Sequence, residues 1–302
     1  MHYLYRLAHI SDIHLPPLPK PRLRELMNKR LLGWLSWQKR RRHIHRLEVL
    51  DRLLEDLGDQ APDHVAVTGD LVNLSLPDEF TAAARWLQAV GPGDQVSVVP
   101  GNHDAYVPLD HSQGRAEWDP YMTSDASGLA GFPYLRRRGP LALIGLSTAV
   151  ATAPGLASGE LGETQCRALE ELLQDNRDRA RVVLLHHSPL PGVSKARKAL
   201  RDAVRLREIL QQQGAELVLH GHEHRVIAGQ LEGPGQPVPV IGAPSASALP
   251  SGRRPGAQYY IYGVEQTEAG WRVTVETRGY QPHEGRFIAV SNAPAILGAL
   301  SG

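Results

Sequence analysis

The sequence predicts an α/β protein, and three observations carry that reading. Short apolar runs alternate with segments whose leucines recur at helical spacing. Each run opens into a loop rich in Gly, Asp, Asn or His. The 302 residues, 42% hydrophobic and 22% charged, suffice for a large core of ordinary globular composition.

In chain order, Tyr5–Ile10 reads as a strand leading into SDIH. Leu47, Leu50, Leu53, Leu54 and Leu57 then share one helical face. His64–Thr68 runs into GDLVN, and Pro77, Asp78 and Glu79 start a helix whose apolar face is Phe80, Ala83, Ala84, Leu87 and Val90. Gln95–Val99 leads into PGNHD, Leu141–Leu146 into Ser147, and Arg181–Leu185 into HHSP. Leu169, Leu172 and Leu173 mark a third helix, and Val204, Ile209 and Leu210 a fourth. Glu216–Leu219 runs into HGHEH. The last stretch changes character: Val238–Ile241, Tyr259–Val264 and Trp271–Thr277 read as the antiparallel part of a second sheet.

One cysteine, Cys166, excludes an intrachain disulfide and suits a reducing compartment. No signal-peptide pattern and no 18-residue apolar run are present, so a cytoplasmic protein is expected. The net charge of +1 hides a basic block: residues 20–46 hold ten Lys or Arg and one acid.

Ligands of α/β sheets gather beyond the carboxyl ends of strands. The loops there carry Asp12 and His14, Asp70, Asn102 and His103, His186 or His187, and His222 and His224. Each pair alone has an ordinary alternative: Gly69–Asp70 suits a turn, and Asn102 a helix cap. Five oxygen- or nitrogen-bearing motifs on five strand ends point instead to a metal centre.

In order, D-x-H, G-D-x-x-N, G-N-H-D, H-x-x-P and G-H-x-H resemble the motifs of calcineurin-like metallophosphoesterases, particularly members of the cyclic-nucleotide phosphodiesterase type. The resemblance runs from Asp12 to His224. It implies one metallophosphoesterase domain over 1–302, a four-layer α/β/β/α sandwich of two mostly mixed sheets, with a basic helical cap inserted at about 16–46. It also implies two divalent metal ions (Mn, Fe or Zn). Asp12, His14, Asp70 and His224 would hold one, and Asp70 would bridge to a second held by Asn102, His186 and His222. His103 would be the catalytic histidine near the leaving oxygen, with Asp104 orienting it. The family's H-x-x-P placement favours His186 over His187. His220 takes a supporting role, and His2, His9, His43, His45, His64, His111 and His283 are assigned to surface or packing.

The chemistry is consistent with those residue types. A carboxylate can bridge two cations, a neutral amide adds no further charge, and alternate side chains of an extended HxH point the same way. Two metals clamp an in-line displacement and acidify water, so hydroxide attack on phosphorus is the implied reaction.

The basic cap follows directly on Asp12 and His14, so it should overhang the centre. Leu23, Met27, Leu31, Trp34 and Leu35 form one apolar stripe, weakened by Gly33. The stripe suits packing on the domain, peripheral contact with an anionic membrane, dimerisation, or nucleic-acid phosphates. In the basic stretch 195–207, Lys195, Arg197 or Arg201 could meet a substrate phosphate. The expected substrate is a small diester, of cyclic-nucleotide or glycerophosphodiester type. The alternatives are a nucleotide-linked lipid such as UDP-2,3-diacylglucosamine, a nucleic acid, an amide, and a non-catalytic binding module.

Overall fold

A computed structural model describes residues 4–126, 131–252, 254–268 and 270–291. His2 lies outside them. Two six-stranded sheets form the centre. The first contains β1 (Tyr5–Ile10), β2 (His64–Val67) and β3 (Val96–Val98) in parallel, β1 with the predicted bounds and the other two with slightly shorter ends. The second contains β4 (Tyr134–Arg138), β5 (Leu141–Gly145), β6 (Ala180–Leu184), β7 (Leu217–His220), β8 (Ile227–Leu231) and β9 (Val238–Gly242). Its order is β4-β5-β6-β7-β9-β8, parallel through β5, β6, β7 and β9 and antiparallel at both edges.

The C-terminal strands correct the sequence reading. β10 (Gln258–Thr267), β11 (Gly270–Gln281) and β12 (Arg286–Val290) extend the first sheet, not the second. β10 lies antiparallel on the edge of β1 that β2 leaves open. Val238–Ile241 does join the second sheet, but parallel to β7. Antiparallel additions thus cover both edges of the second sheet's parallel core and the β1 edge of the first, whose other edge is β3.

Side chains of the second sheet alternate between two cores, as a period of two requires. Leu143, Leu184, Leu219 and Ile241 meet residues of the first sheet such as Leu7, Ile10 and Tyr260. Ile144, Val183, Val218 and Val240 face Leu169, Leu173, Ile209 and Leu210. These last belong to α4 (Glu163–Asp175) and α5 (Ala203–Gln213). On the other side, α2 (Leu47–Gln60) and α3 (Pro77–Val90) bury Leu50, Leu53, Leu57, Phe80 and Leu87 against the first sheet. Leu47 is exposed and Val49 takes its inward place. Val204 is also exposed: it lies two residues, about 200° of helix, from inward-facing Leu206.

The segment between β1 and α2 holds a short 3-10 turn (Leu23–Leu26) and α1 (Arg30–Lys39). The expected stripe faces outward: Leu23 is 87% exposed, Met27 85%, Leu31 43% and Leu35 39%. The helix docks instead through Arg30, Gly33 and Trp37. Arg30 donates from Nε to the Leu74 carbonyl at 2.9 Å and from Nη2 to that of Ser75. A Cβ on Gly33 would collide with the Leu74 side chain and lie 2.7 Å from the Tyr106 hydroxyl. Glycine therefore sets how closely the cap approaches.

Candidate metal centre

Five loops leave the carboxyl ends of β1, β2, β3, β6 and β7 and converge. Seven non-glycine residues among those described have positive φ, and five of them are Asp12, His14, Asp70, His222 and His224. Left-handed backbone costs an ordinary residue about 1–2 kcal/mol. Its concentration in the expected ligands marks a functional site, where surrounding structure holds strained backbone in place.

Around the first position, Asp12 Oδ1 lies 3.1 Å from His224 Nε2 and 3.9 Å from His14 Nε2. The two imidazole nitrogens are 3.1 Å apart, and Asp70 Oδ2 lies 3.7 Å from His14 Nε2. Asp12, His14, Asp70 and His224 can each offer one ligand atom within a 4.8 Å cluster. Asp70 Oδ2 also lies 3.4 Å from His186 Nε2, which is 3.3 Å from Asn102 Oδ1. His222 packs beside His186, ring centroids 5.1 Å apart. Asp70 therefore stands between two donor groups.

The orientation of these groups fits cation binding. His186 donates from Nδ1 to the Thr68 carbonyl at 2.7 Å, which turns Nε2 toward Asp70 and Asn102. Asp12 Oδ2 accepts from Ser11 Oγ and the His222 amide and Oδ1 faces His224 Nε2, whereas buried His222 Nε2 has no hydrogen-bond partner. Buried polar atoms without a partner are costly unless something else satisfies them. Burial raises the carboxyl pKa of both Asp12 and Asp70, but the neighbouring histidines outweigh it and hold both acids down. His187 is otherwise engaged, by Thr148 Oγ1 at 2.7 Å and the Ala157 carbonyl at 3.1 Å.

His103 donates from Nδ1 to the Asn73 carbonyl at 2.6 Å and stacks on Tyr106 at 5.3 Å. Burial, with Arg41 nearby, lowers its pKa to about 4 and keeps the ring neutral. The expectation that Asp104 orients His103 is corrected. Buried Asp104 accepts amides of Asp70, Leu71, Val72 and Gly101 at 2.8–3.0 Å. Glu79 likewise accepts those of Asn73, Leu74 and Leu76 at 2.7–3.0 Å. Two buried carboxylates thereby fix the loop that presents Asp70.

The sequence reading missed three residues here. His45, assigned to packing, is buried with its ring 4.7 Å from that of His14, and its Nδ1 meets Ser247 Oγ at 2.8 Å. Arg41 brings Nη2 to 2.8 Å from His14 Nδ1 and 3.0 Å from Asn73 Oδ1. Tyr106 forms the His103 stack. Arg41 and His45 were visible only as members of a basic run; Tyr106 lay two residues past GNHD. Ser245 supports the site from behind, donating from Oγ to the Asp12 carbonyl at 2.6 Å. The centre opens into a cavity of about 380 Å³, roofed by Leu32, Gly33, Ser36 and Arg41 of the cap.

Paired α/β sheets with a His/Asp cluster able to bind metal at the carboxyl ends of their strands define an α/β sandwich with a candidate metal centre. The chain belongs to the calcineurin-like phosphoesterase family, whose model matches residues 5–226. Members of this family use two divalent metal ions, and the cluster here is able to bind metal. A cAMP/cGMP dual specificity phosphodiesterase of Mycobacterium tuberculosis is 28% identical over 73% of this chain and 62% of its own length. A glycerophosphodiester phosphodiesterase of Enterobacter lignolyticus is 28% identical over 61% of this chain and 57% of its own. The chain thus spans about three fifths of these relatives. A dimetal phosphatase structure from Danio rerio shares the fold, with TM-score 0.60 at 14% identity over 95% of this chain and 98% of that one.

Proposed function

We propose that the protein hydrolyses phosphoric diesters of small molecules, of the cyclic-nucleotide or glycerophosphodiester type. The observation that carries this reading is the convergence of Asp12, His14, Asp70, Asn102, His186, His222 and His224 beside His103. The names of two relatives, a cAMP/cGMP and a glycerophosphodiester phosphodiesterase, support the substrate class. Asp12, His14, Asp70 and His224 would hold one divalent cation, and Asp70, Asn102, His186 and His222 the other. Such cations supply positive charge to phosphoryl oxygens and acidify water.

The chain's own groups do the positioning. Asp104 and Glu79 hold the Asp70 loop, and the Asn73 carbonyl fixes the His103 ring with Nε2 free. A neutral imidazole there can accept the proton given up by the water that adds to phosphorus and pass that same proton to the leaving oxygen as its bond to phosphorus breaks. The test is hydrolysis of bis(p-nitrophenyl) phosphate, 3′,5′-cyclic AMP and glycerophosphocholine with manganese added or with chelator. Chelator-sensitive cleavage of at least one supports the reading, and no cleavage of any overturns it.

A second property rests on the cap. Five large apolar side chains between positions 23 and 35 are exposed, including Leu32 at 57%, among exposed Lys20, Arg22, Arg24, Arg40 and Arg42. Apolar groups among cations suit peripheral contact with an anionic bilayer. Sedimentation with phosphatidylglycerol vesicles, and not with phosphatidylcholine vesicles, is expected; equal partition would refute it.

A further inference from the structure

The cavity over the metal centre does not end there. It continues into a groove of about 510 Å³, and the two share Arg197, Lys198, Glu223 and Arg254. Lys195 and Arg225 complete the groove's basic wall. These cations come from two separate parts of the chain besides the HxH loop: the 3-10 turn Ala196–Lys198, and the segment after β9.

Their concave placement beside the metal centre sets them apart. Several exposed arginines elsewhere lie against carboxylates, as Arg52 on Glu55, Arg201 on Glu160 and Arg272 on Glu265. The exposed Arg22, Arg24, Arg40 and Arg42 of the cap, which have no such partner among the described residues, line neither space. Among the described residues, Lys195, Arg197, Lys198 and Arg254 have no carboxylate within ion-pair distance. Glu223 is the one acid lining both spaces. It is already engaged, accepting from Ser194 Oγ at 2.8 Å and lying 3.5 Å from Arg225 Nη2. Like charges gathered in a concave wall repel one another and focus a positive potential there. An anionic ligand relieves both effects, and guanidinium forks match phosphate oxygens.

We propose that this groove is a second anion subsite, which binds a further phosphate of the same molecule whose ester lies at the metal centre. The inference rests on the reading of that centre as a phosphodiester site. It narrows the substrate class: a diester bearing an additional phosphate, as on a nucleoside bisphosphate skeleton, is preferred to one without it. A simple diester carries a single negative charge, which leaves the cations at 197, 198 and 254 unanswered.

The experiment compares calorimetric binding of adenosine 3′,5′-bisphosphate and adenosine 5′-monophosphate to the full chain as purified. Wild type should favour the bisphosphate by roughly tenfold or more, the scale of one charge-assisted contact. The R197A/K198A/R254A variant should lose that preference to within about twofold, the resolution set by small free-energy differences. The R52A/R167A/R272A variant, which removes three charges on exposed surface away from both spaces, should retain it and so excludes a mere effect of net charge. Equal binding of the two nucleotides by wild type, or an unchanged preference in the triple variant, overturns the subsite. Hydrolysis of bis(p-nitrophenyl) phosphate, 3′,5′-cyclic AMP and glycerophosphocholine, with manganese added, is measured on the same preparation. Hydrolysis without the binding preference refutes the subsite alone; the preference without hydrolysis refutes the hydrolase reading alone.

Discussion

Gly101→Ala should disable the centre while leaving the fold standing. A Cβ at position 101 would lie 2.6 Å from the Asp70 amide nitrogen and 2.7 Å from His186 Cε1, and closer still to Asp70 Oδ1. To recover ordinary contact at 3.4 Å, the His186 ring must retreat by about 0.7 Å. Metal–ligand distances tolerate only about 0.2 Å. Neither neighbour is free to move, because His186 is tied to the Thr68 carbonyl and the Asp70 loop to Asp104. The expected result is loss of one of two metal equivalents and a fall in turnover of roughly 100-fold, as for a misplacement of about 1 Å. Stability should fall by about 1–3 kcal/mol, the usual cost of overpacking. Metal content by mass spectrometry, hydrolysis of bis(p-nitrophenyl) phosphate and thermal unfolding give the three readings. Two bound metals with turnover within threefold of wild type would refute the reasoning.

Three further outcomes are expected. His103→Ala should retain metal but lose turnover, most for esters with poor leaving groups; equal loss across leaving groups would exclude proton donation by this ring. Burial, with Arg138 and Arg136 nearby, lowers the His64 pKa to about 3. The unfolded chain therefore takes up a proton that the folded chain does not, and stability falls as pH drops from about 6.5 toward 3. His64→Gln should flatten urea-measured stability between pH 6.5 and 5 by up to about 1.4 kcal/mol per pH unit; an unchanged slope would show that His64 titrates freely. Gly58 lies inside α2, and a Cβ there would meet nothing within 4 Å. Gly58→Ala should raise stability by about 0.5–1 kcal/mol, and a lower melting temperature would contradict the open helix surface.

The sequence by itself determined most of what is local. Apolar runs placed the strands of the two parallel cores, β1–β3, β5–β7 and β9, within a residue or two, because burial on both faces demands uninterrupted hydrophobes; β4, β8 and β12, partly exposed edge strands, carried no such run and went unforeseen. The loops after β1, β2, β3, β6 and β7 named the candidate ligands, because those side chains and the strands that carry them are adjacent in the chain. His186 needed the family's motif placement, since adjacent histidines look alike until one is seen to meet Thr148 and Ala157.

What joins distant segments was decided only by tertiary structure. Tyr259–Val264 had the pattern of a strand, but either sheet could have received it; the open edge of β1 did. The cap's leucines read as a buried stripe, yet docking through Arg30, Gly33 and Trp37 turned them outward, because only glycine admits Tyr106 and Leu74 at that crossing. Arg41 and His45 reach a site whose candidate ligands run from positions 12 to 224, through contacts that no local period encodes. The same holds for Asp104, whose place beside His103 in sequence suggested a partner it does not have. Its carboxylate instead satisfies amides some 30 positions earlier in the chain, where a buried loop needed acceptors.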